Sequence, residues 1–350
     1  MKIVGCDLHT RYQQVAMLDQ ETGELVERRL EHESGEARGF YAGLEGPVRV
    51  GIEATGHTRW FERMLAELGH ELWIGDAAQI RAAMVRKQKT DARDAAHLLD
   101  LLLSERFPRI WRPSLEERDL RQLVWHRQKL VWMRNAVGNQ LHALAMGEGV
   151  CRKKKLFSKK GRVELEGLKL GWWASHRRQE LLIMLDQLDA SLKELDQAVA
   201  EQAEQNPAAV LLMTHPGVGP VTSLAFVLTL GPVERFQRSK QVVSYLGLNP
   251  REHSSGGRQR LGAISKQGNP MMRSLLVEAG HSAARLDGEL RQDYQRLKLR
   301  RGSGVAKVAI ARKLAVRMYW MLRRPASYAQ LVRMQGSPWG TLVGRKSSLA

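Results

Sequence analysis

Lys2-Ile3-Val4-Gly5-Cys6-Asp7 and Val48-Arg49-Val50-Gly51-Ile52-Glu53 are two short apolar runs, each closed by an acid. Such runs, rich in Val and Ile, predict buried strands. Asp91 and Asp94 lie three apart at the start of a helical run, Lys89-Thr90-Asp91-Ala92-Arg93-Asp94-Ala95-Ala96-His97-Leu98. Residues three apart on a helix share a face, so two strand-end acids and this helical pair can converge on one point. Carboxylates gathered there repel one another unless cations sit between them. Mg²⁺ is a hard cation with oxygen ligands, and paired Mg²⁺ ions stabilise both oxygens of an in-line phosphoryl displacement. The four acids Asp7, Glu53, Asp91 and Asp94 therefore predict a site for two Mg²⁺ ions and phosphodiester chemistry. Taken singly, each acid could instead be a solvated strand end or a complement to a helix dipole.

The chain carries 55 Lys+Arg against 37 Asp+Glu in 350 residues, a formal charge of +18. A basic protein with an acidic cluster calls for an anionic partner, and nucleic acid fits best. The basicity is concentrated. Arg152-Lys153-Lys154-Lys155 with Lys159, Lys160 and Arg162 forms one block, and Arg291 to Arg333 holds twelve Lys/Arg against the single acid Asp293. A hydrophobic content of 43% excludes wholesale disorder. Cys6 and Cys151, the only cysteines, lack metal spacing, so neither a disulfide framework nor a zinc site is expected. Without an 18-residue apolar stretch or a signal-peptide pattern, a cytoplasmic location is expected.

Around the acids, strands are predicted at Lys2–Leu8, Gln13–Leu18, Leu25–Leu30, Val48–Glu53 and Glu71–Gly75. Helices are predicted near Glu36–Leu44, Thr58–Leu68, Ala77–Val85 and Asp91–Leu103. A strand meander followed by alternating strands and helices makes an α/β layer of the RNase H kind. Pro108 and Pro113 mark a linker, and Ser114-Leu115-Glu116-Glu117 is a capping box opening a long helix. Leu120, Leu123, Leu130, Val137, Leu141 and Leu144 follow 3-4 spacing there, with Arg127 and Arg134 at two seam positions. A second run holds Leu181, Leu185, Leu188, Leu192, Leu195 and Val199. The pair predicts an antiparallel hairpin, an intermolecular coiled coil, or ordinary helical packing. Basic seam residues favour a coil that also meets an anion.

Beyond residue 206, His215-Pro216-Gly217-Val218-Gly219-Pro220 leads into an apolar helix, Val221–Leu230. Pro-Gly-x-Gly suits a helix-hairpin-helix turn whose backbone N–H groups approach a phosphate, and suits a plain tight turn nearly as well. His253-Ser254-Ser255-Gly256-Gly257 is a small-residue stretch, Asn269-Pro270 starts another helix, and a basic amphipathic helix is predicted near Gly304–Leu322. Trp125 and Trp132, seven apart, read as core. Trp172-Trp173 after the basic block suits base stacking or hydrophobic docking equally. Lys87, Lys89 and Arg93 suit a phosphate backbone or a charge-laced helix face.

Taken in order, these stretches resemble the DEDD-type transposases of insertion-sequence family 110 and its 1111 subgroup. Also called bridge-RNA-guided recombinases, they are related to pilin-gene invertases. The resemblance is carried by Gly5-Cys6-Asp7-Leu8-His9, Ile52-Glu53-Ala54-Thr55-Gly56 and Lys89-Thr90-Asp91-Ala92-Arg93-Asp94-Ala95. It is carried further by Pro216-Gly217-Val218-Gly219, Gly247-Leu248-Asn249-Pro250-Arg251, Ser255-Gly256-Gly257 and Ile264-Ser265-Lys266-Gln267-Gly268-Asn269.

The resemblance implies a RuvC-like nuclease domain at 1–107, a coiled-coil domain at 108–205, a serine-bearing, mainly helical transposase domain at 206–325 and a tail at 326–350. It implies that Asp7, Glu53, Asp91 and Asp94 are the family carboxylates and Ser255 the nucleophile, with Ser254 the competing position. It also implies donor and target double-stranded DNA and a guide RNA as partners, and a homo-oligomer, dimer or tetramer. A hydrolytic RuvC-like junction nuclease would need the carboxylates but not Ser255. A non-catalytic nucleic-acid scaffold would need none of the five.

Overall fold

The structure is a computed structural model describing residues 1–84, 90–152, 155–254, 258 and 260–333. Two compact units divide it, Met1–Arg112 and the chain from Pro113 onward.

In the first unit, β1 (Lys2–Leu8), β2 (Tyr12–Asp19) and β3 (Leu25–Glu31) form an antiparallel meander. After α1 (Glu36–Ala42), β4 (Val48–Glu53) pairs parallel to β1. Beyond α2 (Arg59–Glu67), β5 (Glu71–Gly75) pairs parallel to β4. The sheet order is β3-β2-β1-β4-β5. α3 (Ala77–Ala83) and α4 (Asp91–Leu103) follow.

Alternation along each strand sets its two faces. Val4, Cys6, Val50 and Ile52 join Tyr41, Phe61 and Leu65 in one core, whereas Ile3 joins Ala95, Leu98, Leu99 and Leu102 of α4 in another. α4 lies against β1 closely enough that a Cβ on Gly5 would sit 2.3 Å from the Ala95 carbonyl oxygen. Only glycine admits that approach inside a strand.

The second unit opens with α5 (Leu115–Gly147), whose N-terminus is closed by the Ser114–Glu117 capping box. α6 (Lys159–Glu166) and α7 (Trp172–Glu204) follow. Arg127 pairs with Asp196 and Arg134 with Asp189, so α5 and α7 run antiparallel as an intramolecular hairpin. Its apolar seam gathers Val137, Leu141, Leu181, Leu185 and Leu188. The anion expected at the basic seam positions is thus supplied by α7 itself. Trp125 and Trp132, expected in the core, are each more than a third exposed.

α8 (Pro207–Met213), α9 (Pro220–Leu230), α10 (Ser239–Tyr245), α11 (Pro270–Leu286), α12 (Gly288–Arg323) and α13 (Tyr328–Arg333) complete the second unit. They share one large core with Val124, Val199 and Ala203 of the hairpin. In the α8–α9 turn, Gly217 has φ +86°, and a Cβ there would meet the Ala283 backbone nitrogen at 2.4 Å. That glycine is explained by packing on α11.

α12 is interrupted at Gly302, and its second half is the helix expected near Gly304–Leu322. Ile310, Ala311, Leu314, Ala315, Met318, Tyr319 and Met321 are all buried, as is Arg317. The cationic excess of this segment is partly satisfied internally. Arg317 pairs with Asp287 at 3.1 Å and Glu289 at 2.6 Å, and Lys313 pairs with Asp293.

Between α10 and α11, β6 (Pro250–Glu252) and β7 (Leu261–Ile264) form a hairpin. Among the described residues, no helix is long and apolar enough to cross a membrane.

Candidate metal and nucleic-acid-processing site

Asp7 and Glu53 are set by strand parity. The last parallel pair between β1 and β4 is Cys6 with Ile52, and both side chains enter the core opposite α4. The next residue of each strand, Asp7 and Glu53, therefore turns to the face that α4 covers. α4 begins beside these strand ends. Thr90 caps it by accepting the Arg93 N–H, and Asp91 and Asp94 occupy its first turn, where the helix N-terminus favours negative charge.

The Asp7 and Asp91 carboxylates and the His9 imidazole bring ligand atoms within 4.8 Å of one another. His9 Nε2 lies 3.1 Å from Asp7 Oδ2 and 3.6 Å from Asp91 Oδ2. The Tyr12 hydroxyl donates to Asp91 Oδ2 at 2.8 Å, its ring stacks on His9 at 4.7 Å, and the Arg29 guanidinium lies 3.8 Å from the centre of the Tyr12 ring. Burial holds the Asp7 carboxyl above its usual range; His9 pulls it down, while the charges of Asp94 and Asp91 push it up again. Asp94 is thus within electrostatic reach of Asp7. Glu53 shares the sheet face but is outside the group of three whose ligand atoms converge.

Two clustered carboxylates and an imidazole nitrogen fit a divalent cation, whose charge would offset both the burial that chiefly raises Asp7 and the neighbouring charges of Asp94 and Asp91. His9 and Tyr12 were not singled out as site residues from sequence. The signal lies in the three-residue connection His9-Thr10-Arg11, closed by the His9 N–H donating to the Tyr12 carbonyl at 3.0 Å. So short a turn keeps both rings beside the end of β1.

Ser255, Gly256 and Gly257 lie outside the described residues, as do Lys87 and Lys89. Ser254 is described. Its hydroxyl donates to Glu252 Oε1 at 2.6 Å and accepts the Arg260 N–H at 3.1 Å, which ties it to the base of the hairpin turn. His253 is exposed, with its N–H bonded to the Arg260 carbonyl. Cys6 is buried and Cys151 exposed, and neither is disulfide-bonded. Burial pushes the Cys6 thiol far above its ordinary value.

Comparison with known proteins bears on both units. Residues 4–147 match the DEDD transposase model of the IS110 type, and residues 209–295 match the model described as transposase of the IS116/IS110/IS902 family. A probable family 20 transposase of Pseudomonas aeruginosa is 28% identical over 340 residues, covering 93% of this chain and 98% of that protein. The transposase for insertion sequence element IS1111A of Coxiella burnetii is 26% identical over 340 residues, covering 94% and 91%. A pilin gene-inverting protein of Moraxella bovis is 26% identical over 232 residues, 64% of each chain. DEDD-type transposase domains generally use divalent metal ions, and the Asp7–His9–Asp91 group is an acidic cluster of that kind. With both transposase domains in order, this chain belongs to the IS110/IS116/IS902 family of insertion-sequence transposases, enzymes that cut and rejoin DNA.

Proposed function

We propose that this transposase cuts and rejoins donor and target DNA through a covalent serine intermediate. Asp7, Glu53, Asp91 and Asp94 hold Mg²⁺, and Ser255 is the nucleophile. The observation that carries the reading is the convergence of Asp7 and Asp91, within the electrostatic reach of Asp94, beside the C-terminal ends of two parallel strands. The strand order and the α4 crossing over β1 support an RNase H and RuvC-like scaffold for residues 1–107. Residues 108–205 serve as the coiled-coil domain and residues 206–325 as the serine-bearing domain. The α8–α9 turn acts as a helix-hairpin-helix-like contact to the DNA backbone.

Bound Mg²⁺ would polarise the scissile phosphate and stabilise the leaving oxygen. The Ser255 hydroxyl attacks phosphorus; an O–P bond to serine forms as the bond from phosphorus to a deoxyribose oxygen breaks. That oxygen leaves as a hydroxyl carrying the serine's proton. Attack by a hydroxyl of the second DNA then reverses the step and regenerates serine. Ser254 suits the nucleophile less well, since its hydroxyl already bridges Glu252 and Arg260. A guide RNA made by the same element directs the reaction, carried out in the cytoplasm by a dimer or tetramer. The charge of +18 supports such an anionic partner.

The test is recombination of plasmids carrying the element's ends. Asp7→Ala and Ser255→Ala should each abolish recombinants while leaving folding and nucleic-acid binding intact, and Ser254→Ala should remain active. A suicide substrate should trap a covalent adduct on the peptide holding Ser255. Full activity of Ser255→Ala with no adduct would leave the hydrolytic nuclease as the better reading. Full activity of Asp7→Ala would remove the metal site.

A further inference from the structure

Trp172 and Trp173 begin α7 and are 70% and 75% exposed, unusual for so large an apolar side chain. Their rings meet edge to face, with centroids 4.2 Å apart, and both lie within 6.3 Å of the His176 ring. They precede the heptad run that begins at Leu181, so they are not a continuation of the seam closed against α5.

Their surroundings are cationic. Residues 148–180 hold ten Lys/Arg against four Asp/Glu. Two of the four acids are engaged: Glu164 is paired with Arg152 and Glu166 with Arg162. Lys155, Lys159 and Lys169 make no ion pair with a carboxylate among the described residues. α6 is fastened near this end of α7, because Arg178 donates to the Leu165 and Leu168 carbonyls and Arg162 pairs with Asp186. The tip of the hairpin therefore presents two uncovered aromatic rings on a rigid base, with unpaired ammonium groups on the same short segment.

We propose that this tip is a stacking platform for unpaired nucleotides of RNA. Exposed aromatic rings receive base faces, and the flanking lysines meet the phosphates. Charge complementarity excludes a basic protein surface, and a purely apolar partner would leave the lysines unused. A DNA duplex hides its base faces within the stack, whereas the loops and bulges of a folded RNA expose them. The inference rests on the RNA dependence in the proposed function and names where that RNA is held.

The test uses the full-length protein with an oligouridine RNA and a matched oligothymidine DNA, read by filter binding and by ultraviolet crosslinking with peptide mapping. Trp172→Ala with Trp173→Ala should weaken RNA binding about tenfold or more, since stacking on an aromatic ring contributes on this scale per base. The slope of affinity against salt should stay unchanged, because no cation is removed. Trp172→Tyr with Trp173→Tyr should restore most of the affinity, and the crosslinked peptide should contain residues 172 and 173. Oligothymidine should respond less. An equal or larger response with oligothymidine overturns the assignment to RNA. RNA affinity unchanged in the alanine pair overturns the platform alone, and a loss of oligomer by sedimentation in that variant would assign the rings to a protein contact. Failure of the wild-type protein to bind any RNA overturns the platform and the RNA part of the proposed function together.

Discussion

The Tyr12 hydroxyl donates to Asp91 Oδ2 at 2.8 Å, joining the first residue of β2 to the first turn of α4, 79 positions later in the chain. Together with His9 Nε2 at 3.6 Å, this bond holds the Asp91 carboxylate in place at the helix terminus. Tyr12 is held in turn by His9 on one side and Arg29 over its ring.

Tyr12→Phe keeps the stack and removes only the hydrogen bond. Hydrogen bonds to charged groups contribute about 1.5–3 kcal/mol, so strand cleavage should fall roughly tenfold or more if all of that goes into orienting Asp91. The divalent-ion concentration for half-maximal cleavage should rise, and the melting temperature should barely change. Cleavage at the wild-type rate and the wild-type metal requirement would show that Asp91 needs no such positioning.

What the sequence disclosed and what it hid follow physical lines. The strands ending in Asp7 and Glu53 were legible because alternation and β-branched content are local signals, and the observed bounds of β1, β4, β5 and α4 are the expected ones. His9 and Tyr12 were not, because their place in the site arises from a three-residue connection and a register that composition does not reveal. Arg127 and Arg134 looked like seam cations that meet an anion, and Arg317 stood within the basic run from Arg291 to Arg333. Each is taken by an acid of the same chain, Asp196, Asp189 and the Asp287–Glu289 pair respectively. A charge count cannot distinguish a paired arginine from one that faces a ligand.

A divalent ion held by Asp7 and Asp91 should stabilise the protein before any DNA is present, because it offsets the burial that chiefly raises the Asp7 carboxyl and the added charges of Asp94 and Asp91. Binding to the folded state alone contributes about 1.4 kcal/mol when the ion is at ten times its Kd. Calorimetry should show a rise in melting temperature on adding Mg²⁺ or Mn²⁺ to the wild-type protein. No rise is expected for Asp7→Asn with Asp91→Asn, which should melt higher than wild type in the absence of the ion. An equal ion response in both proteins would place the bound cation elsewhere.

His215 gives the second unit a pH dependence. It is 1% exposed, its Nδ1–H donates to the Pro216 carbonyl at 2.9 Å, and Arg317 stands beside Nε2. Burial first, and then the Arg317 charge, lower its pKa from 6.5 to about 4. The folded state therefore binds fewer protons than the unfolded chain between these values, so stability is complete above pH 6.5 and declines as pH falls toward 4. The loss is on the order of a few kcal/mol across that window. Asp287, whose carboxyl is held below its usual 3.8, contributes its own loss only at lower pH. Melting temperature should fall between pH 7 and pH 5, and His215→Gln should flatten that fall. A wild-type slope in His215→Gln would assign the dependence to other histidines.

The base of the β6–β7 hairpin yields the most discriminating substitution. Gly247 has φ +67°, and a Cβ there would lie 1.6 Å from the Gln267 carbonyl oxygen. Opposite it, Gly268 has φ +81°, and its Cβ would lie 2.1 Å from the Tyr245 carbonyl oxygen. The chain thus enters and leaves the hairpin through two turns pressed backbone to backbone, tied by Ser265 donating to Asn249 Oδ1 at 2.9 Å and Arg273 donating to the Gln267 carbonyl at 2.8 Å. Gly247→Ala combines left-handed strain with a clash against main chain, which cannot swing aside as a side chain would. The expected cost is at least about 2 kcal/mol, read as a lower melting temperature and lost recombination. Gly262→Ala is the control: it lies in β7 of the same hairpin, and the nearest atom to its Cβ is the Arg251 carbonyl oxygen at 3.9 Å. That variant should melt and recombine as wild type. Lost recombination in Gly247→Ala at an unchanged melting temperature would show that the turn acts on the reaction directly, and equal damage from Gly262→Ala would show that the whole hairpin, not its crossing turns, is the sensitive element.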